Sequence, residues 1–119
     1  MSGKILMFGL DENQIRFLKN ISAALKIKAV SIDTAMYGCT LSELAQGKGR
    51  EESSSGTAVY ETMIVFCQVS DKHMDRILSQ LKAGKIPIKY KAVMTPTNSR
   101  WTVRKLYFEL ERERMAIEG

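Results

Sequence analysis

Three observations predict an α+β fold in which two strand–helix–strand units share one sheet. Apolar runs over residues 4–10 and 62–69 each lead into a polar segment able to start a helix. The halves echo one another, since Ile5-Leu6-Met7-Phe8, Asp11, Ile15 and Leu18 return as Met63-Ile64-Val65-Phe66, Ser70, Met74 and Ile77. A second echo follows each unit, where Cys39-Thr40-Leu41 with Leu44 returns as Trp101-Thr102-Val103 with Leu106. A duplicated βαβ(α) unit accounts for all three.

The first strand is read over Lys4–Leu10 and the third over Thr62–Val69. Their continuous apolar runs imply burial on both faces, which places them at the centre of the sheet. Asp11 opens the first helix, with Gln14 placed to complete a capping box, and Ile15, Leu18, Ile21 and Leu25 form its apolar stripe. The second strand, about Ile27–Asp33, is mixed and reads as an edge. Thr40 and Glu43 form another capping box, opening a short helix that Gly47 ends. Ser70 starts the third helix, which turns Met74, Ile77, Leu78 and Leu81 inward and stops at Gly84, read as a left-handed cap. The fourth strand, about Ile88–Met94, begins after Pro87 and carries Lys89 and Lys91 on one side, features that suit an edge. Thr102 opens the last helix, with Val103, Leu106 and Leu110 on one face.

With the first and third strands central and antiparallel, the pattern fits a ferredoxin-like sandwich. An open parallel α/β sheet is the alternative fold. The extra helices would cover the second sheet face, unless that face meets another copy of the chain in a homo-oligomer. Residues 1–119 are read as a single domain, with half-repeats 1–46 and 59–119. Between them, 47–58 is rich in Gly, Ser and charge and reads as a flexible connector.

The balance of 45% apolar and 26% charged residues is that of a globular domain, and no apolar run is long enough to cross a bilayer. No membrane partner is therefore expected. Two cysteines without metal-type spacing suggest reduced thiols and a cytoplasmic setting. The net charge is +5, but Lys72 to Lys105 holds nine Lys/Arg and one acid, Asp75. That bias favours an anionic ligand or partner, with nucleic acid as one alternative. Phe8 and Phe66 fall on the central strands, where an RNA-binding sheet carries its aromatics, yet the glycine–aromatic signature is absent and both read as core.

The loop Thr95-Pro96-Thr97-Asn98-Ser99-Arg100-Trp101 joins a strand end to a helix start, where free amides and the helix dipole favour an anion. Thr95, Thr97, Asn98, Arg100, Trp101, Thr102 and Arg104 are the candidate binding residues, against a structural reading in which they form turn, cap and staple. On the binding reading, changing Asn98 and Arg100 together to alanine leaves the fold intact and removes the partner. Cys39, beside a helix start, is the one candidate for thiol or redox chemistry. His73 reads as a solvated helix residue. No set of residues suggests a catalytic group, a metal site or a cofactor, so a non-enzymatic binding or regulatory module is the leading expectation.

The run Ala92-Val93-Met94-Thr95-Pro96-Thr97-Asn98, followed after two residues by Trp101-Thr102 and preceded by the strand Met63–Phe66 and a helix, resembles a small uncharacterised bacterial family, a domain of unknown function (DUF 3783). The similarity spans roughly the last sixty residues and is weaker in the first half, where Thr34-Ala35-Met36-Tyr37 departs from the motif. The resemblance implies no enzymatic activity, cofactor or catalytic residue. It directs attention to the Thr95–Trp101 loop.

Overall fold

The computed structural model describes residues 3–48 and 61–118, with side chains through residue 113. Of the expected connector, only Gly47 and Lys48 fall within these residues. Four strands, β1 (Lys4–Phe8), β2 (Lys28–Ile32), β3 (Met63–Cys67) and β4 (Tyr90–Val93), form one sheet in the order β2-β1-β3-β4. Four helices accompany them, α1 (Glu12–Ala24), α2 (Leu41–Ala45), α3 (Asp71–Ala83) and α4 (Val103–Glu118), and short 3₁₀ turns precede α2 and α4.

The apolar strands β1 and β3 pair antiparallel at the centre, while β2 and β4 pair parallel to them at the edges. An all-parallel open sheet is thereby excluded. The arrangement also departs from a ferredoxin-like sandwich, in which each unit is split by an intervening strand. Here β1 lies directly beside β2, and β3 beside β4. A hydrophobic pattern reports which strands are buried and leaves their neighbours undetermined, because either order buries β1 and β3 equally well.

Alternating side chains send Leu6, Phe8, Met63, Val65 and Cys67 to one face, into a core shared with Tyr37, Leu41, Leu44, Val103 and Leu106. Ile5, Met7, Ile64 and Phe66 point to the other, where Leu18, Ile77 and Leu81 of α1 and α3 cover them. Both faces are thus covered within the chain. Phe8 and Phe66 consequently sit on opposite faces, although the apolar tetrads align them. Helix caps recur at one constant offset, Asp11 with Ser70 and Leu25 with Gly84, as do the left-handed residues Gly9 with Gln68 and Lys26 with Lys85. That offset matches Met7 with Phe66, one residue away from the tetrad alignment. A slip of one residue exchanges the faces of a strand.

Gly9 and Gln68, at φ 71° and 56°, end the central strands earlier than their apolar runs. The Asp11–Gln14 capping box is present in both directions at 2.8 Å, and Gln14 Nε2 also donates to the Pro87 carbonyl at 2.9 Å. One side chain therefore caps α1 and holds the approach to β4. Gly84 is not left-handed, with φ −82°, and Lys85 takes that conformation instead. What requires glycine is space, since a Cβ there would lie 2.7 Å from the Phe17 ring.

Candidate functional site

The Thr95–Trp101 loop closes on itself. Asn98 Oδ1 accepts from the Thr95 amide at 2.7 Å, Thr95 Oγ1 accepts from the Asn98 amide at 3.1 Å, and Asn98 Nδ2 donates to the Val93 carbonyl at 3.0 Å. Ser99 Oγ donates to the Pro96 carbonyl. Asn98 thus knits the end of β4 to the following turn, so its replacement disturbs the turn itself. Trp101 packs against the core containing Tyr37, and the Lys105 ammonium lies 5.1 Å from its ring centre. Thr97 is exposed and makes no side-chain cap.

The amides at the start of α4, expected to be free for an anion, all have partners. Val103 donates to the Cys39 carbonyl, Arg104 to the Tyr37 carbonyl, Lys105 to Thr102 Oγ1 and Leu106 to the Thr102 carbonyl. Leu41 in turn donates to the Trp101 carbonyl, and Thr40 and Thr102 form an antiparallel bridge. The two helix starts therefore satisfy each other's backbone, a use of orphan amides that competes with ligand binding. Arg100 and Arg104 keep exposed side chains beside this junction.

Neither thiol is accessible. Cys39 is buried with Tyr37 and Leu41. Cys67 is buried at the end of β3, where desolvation pushes its pKa up to about 11 against the opposing effect of the Lys4 ammonium. Lys4 Nζ itself donates to the Ala45 carbonyl at 2.5 Å, supporting the end of α2. His73 is half-buried in the first turn of α3. Among the described residues no group of three His, Cys, Asp or Glu side chains could hold a metal ion. Among the described residues, likewise, no helix is long and apolar enough to cross a membrane.

A concavity lies elsewhere, along the flank of α3 and the start of β4. About 680 Å³ in volume, it has a floor of Leu78, Leu81, Ile86 and Ile88, with Lys82, Lys89 and Lys91 around it. Glu61 borders it and approaches Lys89 at 3.5 Å, an exposed pair of small energetic weight. Beyond the groove the outer edge of β4 continues through Val93, 45% exposed, to the Asn98 turn. In the sequence Lys82, Lys89 and Lys91 belong to the basic 72–105 stretch, and Lys89 and Lys91 also suit an edge strand. Their convergence with Lys82 arises because α3 packs beside β4, a contact no local pattern reports.

No curated protein and no solved structure matches the chain. Residues 62–117, which contain β3, α3, β4, the Asn98 turn and nearly all of α4, match the family model described as Domain of unknown function (DUF3783). Most of the groove and every candidate loop residue fall inside the match, so the similarity to that family of unknown function covers the second half of the chain.

Proposed function

We propose that this protein is a small, non-enzymatic binding module that receives an acidic protein segment along the outer flank of α3 and β4. The supporting observation is the groove itself, an apolar floor with three lysines around it. Apolar contact gives such a site affinity, and the lysines select a partner of opposite charge and speed its approach. Arg100 and Arg104 lie beyond the Asn98 turn with exposed side chains. In this reading Thr95, Asn98, Trp101 and Thr102 shape the end of the surface, and the two arginines meet the partner.

Titration of the full chain with a fluorescent glutamate decamer in rising salt tests the proposal. Binding is expected at low ionic strength, to weaken as salt screens the charges, and to be lost when Lys82, Lys89 and Lys91 are changed to Glu. Equal binding by that variant overturns the assignment. A thymidine decamer held more tightly than the peptide would assign the surface to nucleic acid instead. Nucleic acid is the second choice because Phe8 and Phe66, at 0% and 2% exposure, offer no ring for a base to stack on.

We also infer that the two units descend from one duplicated βαβα segment. The constant offset of caps and left-handed residues supports this, as do the reciprocal bonds Leu41 to Trp101 and Val103 to Cys39.

A further inference from the structure

β4 is the last strand of the sheet, and its outer edge has a defined pattern of backbone groups. The Tyr90 and Met94 amides donate inward, to the Thr62 and Phe66 carbonyls at 3.0 and 2.8 Å. In a parallel pair the intervening residues face away, so the Lys91 amide and carbonyl and the Val93 amide lie along the open edge. The Val93 carbonyl, which also faces outward, is taken by Asn98 Nδ2. Among the described residues no strand lies beyond β4, so its edge is closed at the Val93 carbonyl and open over Lys91 and the Val93 amide. An edge of this kind accepts an added strand, with backbone bonds supplying affinity and side chains supplying selectivity.

Resting on the binding reading above, we propose that β4 takes an extended acidic peptide as a fifth strand. Lys91 and Val93 project to the same face of the sheet, towards the groove containing Lys82 and Lys89. An incoming strand places alternate residues on that face. Its recognition pattern is therefore an acidic residue opposite Lys91 and an apolar residue two positions away, opposite Val93. A second copy is the poorer occupant, because pairing β4 with β4 would set Lys89 and Lys91 of one copy beside those of the other. Like charges across a strand pair repel.

The probe is the capped peptide ETVTETVTE, fluorescein-labelled, which presents the pattern in either direction. Its binding to the full chain is followed by anisotropy at low salt. Lys91→Glu is expected to weaken it at least tenfold. Val93→Pro removes an outward-facing amide and the valine side chain while leaving the bonds to β3 in place, so its melting temperature is expected to stay near that of the parent while binding falls at least tenfold. The same peptide N-methylated at alternate residues keeps its charge and loses its donors, and it is expected to bind at least tenfold more weakly. That measurement decides the matter should Val93→Pro unfold. If Lys91→Glu abolishes binding while Val93→Pro and the methylated peptide bind as the parents do, strand addition is wrong and the basic groove stands. No binding of the peptide by a parent protein that binds the glutamate decamer overturns strand addition alone, and binding of neither overturns both. A dimer in sedimentation that Val93→Pro dissolves would give the edge to a second copy and also overturn the proposal.

Discussion

Single residues in this chain often answer to a neighbour that is distant in sequence. Gln14 completes a cap that its own helix predicts, but its amide reaches across to Pro87. Lys4 supports the Ala45 carbonyl, and Tyr37, fully buried, stacks on Tyr107 at 6.0 Å between ring centres. Cys67 gives a test at this scale. Its thiol ionises at about 11 in the native protein, against 9.0 as the ordinary value. Between those values the unfolded chain loses the proton first, so the contribution to stability is complete below pH 9.0 and falls as pH rises towards 11. Urea unfolding at about pH 8 and about pH 10.5 should show a larger fall in midpoint for the parent than for Cys67→Ala. Equal falls would mean that the thiol is not desolvated.

Helix ends carry much of the specification at the element scale. The boxes Asp11–Gln14 and Thr40–Glu43 and the Ser70 cap were all legible, because a cap and its partner lie three residues apart. Gly47 was legible as well, with φ 72° just past α2. Gly84 shows the limit of such reading. Helix C-caps usually require glycine for its backbone freedom, whereas here the α1 ring of Phe17 occupies the space of a Cβ. Gly84→Ala should therefore destabilise the protein by about 1–2 kcal/mol through overpacking. In a Phe17→Ala background the same change should be neutral or stabilising, since only the backbone entropy effect remains. A double-mutant cycle by urea unfolding checks the sign, and an identical cost in both backgrounds would refute the steric explanation.

For the whole molecule, the central antiparallel pair is the decisive joint. Each core draws on both units, for Leu6 and Phe8 meet Val103 and Leu106 on one face while Ile5 and Leu18 meet Ile64 and Ile77 on the other. The family-matched unit alone would expose one edge of β3 and leave both faces half covered. Residues 61–119 expressed alone are expected to fold only on dimerising, with β3 of one copy replacing β1 of the other. Circular dichroism at several concentrations, with sedimentation, checks this. A folded monomeric fragment would show that one unit closes its own core.

Strand and helix identity, the central place of β1 and β3, the edge character of β2 and β4 and the caps Asp11, Thr40, Ser70 and Thr102 came from local order along the chain, where periodicity and three-residue spacings act directly. The pairing of β1 with β2, the opposite facing of Phe8 and Phe66, and the occupancy of the α4 amides by Cys39 and Tyr37 did not, because each depends on which segments meet. The basic groove belongs with them: Lys82, Lys89 and Lys91 become one surface only when α3 lies down beside β4. Hydrophobic pattern measures burial, and burial alone does not choose neighbours.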